Sequence, residues 1–456
     1  MYVEKISHSI SSKAALIAII ATLAGSLTSV ALAQDNAPIA GTRGVAPQVG
    51  AKPALTNAYI PESSIAKPGD AGKLANTHYV LRSATGAKPA AAAVPLITEA
   101  ETPASMGCVY KIGPTYTGCN PATGGTRNPV GGFGAIALVD AYDNPYAAYD
   151  LASFSSYWGL PAASFAQIYC TTAAVNGGCY TSNAPPAGNT GWGLEEALDI
   201  EWAHVMAPSA AVYLVEAATN SCADLAYAVQ WAGAYVQAAG GGTVSNSWGC
   251  GEWSTEGSFD PNFYSAWDKT TYLASSGDGG AGASWPASVP WVLAAGGTTV
   301  NRKSNGNFAN ESCWGGSGGG YSAYENSQGY QFPLTAGGSR AIPDLSFNAD
   351  PASGVWVYDY YNGGWWIVGG TSVASPALAG IIDNIGNKVG QGTPYAFQGF
   401  GYLQNQEAYL IYGQMPTAVD YKKNFYDPKS GSNGYSAAAL YDLCTGVGTP
   451  RGKVGK

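Results

Sequence analysis

The stretch GGTSVASPALAGI, residues 369–381, joins a glycine turn to a Thr-Ser pair and then to a small-residue apolar run suited to a helix. A serine set there is placed for nucleophilic work, because small neighbours admit a substrate and a helix N-terminus favours developing negative charge. Ser372 in that position would equally serve as an ordinary helix cap. The deciding question is which group could take its proton, since the chain holds only three histidines. His8 lies at the N-terminus and His78 in a segment that reads as unstructured, so only His204 falls in the region expected to fold.

His204 belongs to GLEEALDIEWAHVMAP, residues 193–208, which reads as a helix stopped by Pro208. Glu195 and Asp199 are spaced i,i+4 on it and share one face. At about 100° per residue, His204 stands roughly 180° round the helix from Glu195. A Ser-His-Asp triad is therefore disfavoured, and a carboxylate base is the remaining option. Two close carboxylates push their pKa values apart, so one can act as base while the other keeps a proton. Glu196 with Asp199, at i,i+3, fits the spacing as well, while Glu196 and Glu201 also fit a solvated helix face.

Around these stretches, strand-like and helix-like runs alternate. GAIALVDAY (134–142), AAVYLVEA (210–217), GTVSNSWG (242–249), TYLASSGDGG (271–280) and WVLAAGGTTV (291–300) read as strands. Residues 193–208 and 222–240 read as helices, and 354–370 as a hairpin. The pattern predicts an α/β fold with a mostly parallel central sheet flanked by helices on both faces. Sites in such sheets gather at the carboxyl ends of strands, where Asp140, Asp278 and Ser372 fall. Ser317 matches G-x-S-x-G in GGSGG (315–319), but no strand precedes it and no helix follows.

Lys5 and Lys13 ahead of an apolar run, with Ala31 and Ala33 as a small-x-small site, predict a signal peptide over residues 1–33. Residues 34–105, rich in Ala and Pro and without clear periodicity, read as a pro-segment or linker; the large block 106–456 is the catalytic-domain candidate. All eight cysteines lie beyond the leader and none forms a CxxC pair, which favours disulfides over zinc. Short loops favour Cys108–Cys119 and Cys170–Cys179, leaving Cys222–Cys250 and Cys313–Cys444 by elimination. Charged residues make up 11% of the chain and the net charge is −9, which argues against nucleic acid or an anionic membrane as partner.

Four motifs, in order over about residues 130–450, resemble those of the sedolisins, serine-carboxyl peptidases with a subtilisin-like fold. GGTSVASP is similar to their G-T-S-x-x-x-P motif, which implies Ser372 as nucleophile. EEALD resembles their E-x-x-L-D motif, implying Glu195 as general base and Asp199 as its partner. SNSWG (245–249) followed by SSGDGG (275–280) resembles their oxyanion region, implying Asp278 there, with Asp140 and Trp248 extending the network. An aspartate donates to an oxyanion only when protonated, which suits work in acid. The segment 425–450 resembles the family's calcium site, implying Asp427 and Asp442 as side-chain ligands and Pro428, Ala438 and Leu440 as carbonyl ligands. It departs from the family in a shorter loop and in Ala438 and Leu440 standing where glycines are usual. Residues 34–105 are also too short for the family's folded pro-domain.

The resemblance implies a secreted, periplasmic or extracellular acid endopeptidase acting on proteins or peptides through an acyl-enzyme on Ser372. Its mature form is expected to be a monomer without membrane or nucleic-acid partners. An inactive scaffold of the same fold, using its many tyrosines and tryptophans for binding, is the alternative reading. A neutral enzyme using His204 is a third.

Overall fold

The computed structural model describes residue 55 and residues 57–264, 270–331, 338–384, 406–415 and 418–452. The expected signal peptide, residues 1–33, lies outside the described residues. Three short strands come first: β1 (Ala58–Tyr59), β2 (Asn76–Thr77) and β3 (Val80–Arg82). Helix α1 (Pro103–Val109) follows, its first turn closed by reciprocal hydrogen bonds between Thr102 and Ser105.

Strands and helices then alternate as expected. They are β4 (Ala135–Ala141), α2 (Ala147–Trp158), β5 (Ser164–Cys170), β6 (Cys179–Tyr180) and α3 (Thr190–Met206). Next come β7 (Ala211–Ala217), α4 (Cys222–Ala238), β8 (Gly242–Asn246), β9 (Trp248–Gly249) and β10 (Thr270–Ser275). The second half adds β11 (Val292–Arg302), β12 (Phe308–Cys313), β13 (Gly320–Asn326), β14 (Ser339–Ile342) and β15 (Leu345–Asn348). The hairpin β16 (Val355–Asp359) and β17 (Gly364–Gly369) delivers the chain to α5 (Thr371–Asn384).

A central sheet runs in the order β12-β11-β10-β8-β4-β7-β5-β6, with β15 beside β11. Its inner pairs are parallel, while β12 and β6 pair antiparallel at the ends. All seven residues of β4, AIALVDA, are buried, as a near-continuous apolar run must be when both sheet faces are covered. Helices α3, α4 and α5 supply that cover, each packing on β4. The fold is α/β and subtilisin-like. Among the described residues no helix is long and apolar enough to cross a membrane.

All four expected disulfides form: Cys108–Cys119, Cys170–Cys179, Cys222–Cys250 and Cys313–Cys444.

The expectation of an unstructured 34–105 segment is corrected over residues 57–105. Here β1, β3, β17 and β16 form a four-stranded antiparallel sheet, and β2 pairs with β9. Tyr79, Val80 and Leu81 are buried with it. Strands of two and three residues carry no periodicity of their own; their order comes from edges that the rest of the chain provides.

Candidate active site

Ser372 is the second residue of α5, placed there by the turn at the end of β17. Gly370 makes that turn at φ +104, a left-handed conformation open to glycine. A Cβ at Gly370 would stand 2.6 Å from Asp278 Oδ2 and 2.2 Å from the His78 carbonyl oxygen, so the close approach requires glycine as well. Asp278 lies in the loop after β10. Its Oδ1 accepts from the Thr371 amide at 2.7 Å and from Thr371 Oγ1 at 2.9 Å. Oδ2 is buried without a hydrogen-bond partner. Burial raises the Asp278 pKa to about 8, against the weaker pull of the two Thr371 bonds. Oδ1 is occupied as a double acceptor, so Oδ2 is the oxygen left free to carry the proton that this shift favours.

Glu195 and Asp199 come from α3, which packs closely on α5. Both are fully buried. Asp199 Oδ1 accepts from Ser247 Oγ at 2.7 Å. The same hydroxyl lies 3.4 Å from the Ser372 carbonyl, the group that Pro376, lacking an N–H, leaves without its helical partner. Burial first, then the neighbouring Asp199 and Asp140 charges, raise Glu195 well above the usual carboxylate range. Asp199 is raised by burial and by Asp140. The Ser372 hydroxyl is near enough to favour Glu195's ionised form. It is nevertheless turned onto the Ser247 carbonyl at 3.2 Å, and neither Glu195 oxygen accepts a hydrogen bond in this arrangement. The two carboxyls titrate as a pair, and ionising one opposes ionising the other. In the singly protonated state one oxygen is free to take a proton from Ser372.

Asp140, the last residue but one of β4, has both oxygens buried and unpartnered, and burial raises its pKa to about 8. The Trp248 indole donates not to Asp140 but to the Val139 carbonyl, at 2.9 Å. Its contribution is to fix β9 against the end of β4.

The structure thus gathers Ser372, Glu195, Asp199, Asp278 and Asp140 in one place. It corrects the solvated-face reading of Glu196 and Glu201, which are both fully buried. Helix α3 is enclosed by α2, α5, the sheet and β16, and Glu201 Oε2 accepts from the Tyr358 amide at 3.1 Å. His204 is remote, its Nε2 paired with the Pro161 carbonyl at 2.9 Å. Ser317 is a buried strut, accepting from the Gly297 amide at 2.9 Å and donating to the Cys444 carbonyl at 3.0 Å.

Three contributors escape sequence reasoning. Thr371 and Ser247, which hold Asp278 and Asp199, stand inside the GGTSVASP and SNSWG motifs and carry hydroxyls, so a signal is present. His78 is hidden by the composition of its surroundings, yet it is only 5% exposed and lies directly on Ser372.

Asp427 and Asp442 converge on the turn at residues 438–440. Asp442 Oδ2 accepts from the Ala438 amide at 2.9 Å, and Asp427 Oδ2 from the Leu440 amide at 3.2 Å. Asp442 Oδ1 accepts from the Cys444 and Thr445 amides, each at 2.8 Å. Lys429 Nζ is 3.4 Å from Asp427 Oδ2, while Asp427 Oδ1 is buried with no hydrogen-bond partner.

No family model matches the chain. Over 182 residues, 37% of this chain and 28% of the relative, it is 35% identical to sedolisin of Pseudomonas sp. (strain 101). Over 345 residues, 67% of this chain and 56% of the relative, it is 30% identical to kumamolisin of Bacillus sp. (strain MN-32). Among solved structures it resembles Pseudomonas sedolisin, a serine-carboxyl proteinase complexed with two molecules of pseudo-iodotyrostatin. The TM-score is 0.59 at 24% identity, covering 78% of this chain and 96% of that one. The chain spans about a quarter to just over half the length of these two curated relatives.

Proposed function

The chain belongs to the sedolisin family, and from that premise we propose that it is a secreted serine-carboxyl endopeptidase working in acid. The observation that carries the reading is the meeting of three parts at one corner: the Ser372 hydroxyl, the buried Glu195/Asp199 pair and the free Oδ2 of Asp278. Ser372 Oγ attacks a peptide carbonyl and passes its proton to Glu195, while Asp199 holds the pair's remaining proton. The Ser372 amide and Asp278 Oδ2 donate to the oxygen as its charge grows. Glu195 returns the proton to the departing amine, and water hydrolyses the ester by the same route. Four disulfides suit export to an oxidising compartment.

As pH rises toward the Asp278 value of about 8, the donor becomes a charge that repels the oxyanion. Relative to its plateau at lower pH, hydrolysis of a denatured protein is expected to be about halved at pH 8 and about tenfold lower at pH 9, from this group alone. The Ser372→Ala protein should be inert throughout. Equal rates in the two proteins would remove Ser372 from the chemistry and favour neither this reading nor the family's mechanism.

A calcium ion is proposed at the 427–442 cluster on the strength of the unpartnered Asp427 Oδ1, with Asp442 and carbonyls from Pro428, Ala438 and Leu440 completing the shell. Leu440 takes φ +69, which turns its peptide relative to that of Ala438. The ion would fasten the loop and take no part in the reaction. Chelation is then expected to lower Tm by several degrees, and added calcium to restore it. A Tm indifferent to both treatments would show that the loop's own amides suffice.

A further inference from the structure

A run of aromatic rings leads outward from the candidate active site over the β16–β17 hairpin and helix α2. It begins at Tyr361, in the hairpin turn, which lies on the first turn of α3. A Cβ on Gly193, two residues before Glu195, would stand 3.2 Å from Tyr361 Cδ1. Beside it, Asn362 Nδ2 donates to the Thr190 carbonyl at 2.8 Å. From Tyr361 the ring centroids step to Tyr146 at 5.7 Å, then to Tyr360 at 4.8 Å, Tyr149 at 5.2 Å and Tyr358 at 6.3 Å. Local geometry puts these rings outside. Tyr146 and Tyr149 lie i,i+3 at the start of α2, while Leu151, Phe154 and Trp158 are buried. Tyr358 and Tyr360 flank Asp359, which is buried. Tyr146, Tyr149 and Tyr360 are 38%, 53% and 50% exposed.

Charge and ring geometry together define the partner. Neither α2 nor the hairpin contains a lysine or arginine, and their two carboxyls, Asp150 and Asp359, are buried. Asp150 Oδ1 accepts from the Tyr360 amide at 2.9 Å, and Asp359 Oδ1 from the Asn362 amide at 3.2 Å. Burial holds Asp150 up at about 7 and Asp359 at about 6, so both are uncharged in acid. The surface then presents ring faces with no positive charge beside them. An unfolded polypeptide at about pH 4 keeps its arginines, lysines and histidines charged while its carboxyls take up protons. A surface of carboxylates would lose its attraction over the same range, whereas the quadrupole of a ring does not titrate. Arginine fits best, because its planar, weakly hydrated guanidinium stacks on aromatic faces. Neighbouring rings are tilted 56–75° to one another, which denies a flat platform to a stiff ligand and suits side chains that reach each face singly.

We propose that this run of tyrosines is a docking strip for arginine-bearing stretches of unfolded polypeptide substrates, held by cation–π contacts while the bond to be cut lies at Ser372. This rests on the peptidase reading above. A strip of this length is spanned by about six extended residues. It touches no reacting atom. Its effect is to hold cationic chains beside the cleft, so it acts on KM rather than on kcat.

The test compares peptides built on one core, a sequence the enzyme cuts in denatured protein, with an arm of about six residues added at either end. In one arm arginines alternate with serines; in the other, citrulline, uncharged and of nearly the same shape, replaces each arginine. At about pH 4 and for one of the two ends, the arginine arm is expected to give a KM at least about tenfold below that of its citrulline twin, with kcat alike. That ratio should fall to about one in Tyr149→Leu/Tyr360→Leu and persist in Tyr149→Phe/Tyr360→Phe, which keeps the ring faces and drops the hydroxyls. The citrulline comparison uses the unaltered chain, so it does not depend on how either variant folds. Equal KM values for the two arms at both ends overturn the inference. So does a preference that survives Tyr149→Leu/Tyr360→Leu or vanishes in Tyr149→Phe/Tyr360→Phe. In each case cleavage of the core without an arm leaves the peptidase reading standing. A chain that cuts no protein sinks both.

Discussion

Glu195→Gln is expected to lower kcat/KM for a peptide substrate by at least about 1,000-fold, with the loss in kcat rather than KM. Among the described residues neither imidazole is paired with Ser372 Oγ, since His204 Nε2 is on the Pro161 carbonyl and His78 Nδ1 is on Ser275 Oγ. The Ser247 carbonyl accepts a hydrogen bond from Ser372 but cannot store a proton at the end of the step. Glu195 is the group beside Ser372 that can. Glutamine keeps the shape and removes the basicity, so substrate binding should persist while proton transfer fails. Asp199→Asn should cost less, because it leaves Glu195 in place and removes only its charge coupling. The assignment collapses if Glu195→Gln retains more than about a tenth of the wild-type kcat.

The second large effect is on stability. Asp140, Asp278, Glu256 and Asp260 are pushed up to about 8, and Asp150, Glu325 and Asp383 to about 7, chiefly by burial. Glu195, Glu196, Asp199, Glu201 and Glu216 are raised as well. In the unfolded chain all titrate near their ordinary values of about 4. Between those values and the folded ones the native state binds more protons, so rising pH favours unfolding. The stabilisation is complete below about pH 4 and is lost as pH climbs through the folded values toward 8. A tenfold difference in proton affinity between the folded and unfolded chain is worth about 1.4 kcal/mol for a fully buried carboxyl, and several such groups act together. Tm should therefore be highest near pH 4 and lower by at least about 10 °C at pH 8. A Tm that held level or rose over that range would mean the carboxylates ionise inside the fold at little cost.

Much of this is legible from residues alone. The β4, β7, β8, β10 and β11 runs are long and apolar enough to declare themselves, and the turn before Ser372 announces the helix behind it. Glu195 and Asp199 are readable because helical spacing fixes which side chains share a face. Their neighbours Glu196 and Glu201 are not, since the inference that charges face water fails on a helix enclosed on every side. Residues 57–105 mislead for a different reason. Their small and polar side chains hold no stripe, and the edges that order them lie 170 to 290 residues away in sequence. The geometry of Asp278 is half visible: SSGDGG marks the aspartate, but Thr371 as the residue that turns it comes only with the structure.

The paired bonds from Thr371 to Asp278 Oδ1 have a mechanical meaning. In the proposed mechanism the donor, Asp278, sits in a loop, and loops move, whereas the nucleophile sits on a buried helix. By gripping the carboxyl from the residue next to Ser372, through both amide and hydroxyl, the chain makes the two ride together. Fluctuation of the 276–282 loop is then felt as motion of the whole corner relative to the substrate. In the proposed mechanism, the spacing between attacking oxygen and charge-stabilising proton is thereby left nearly constant.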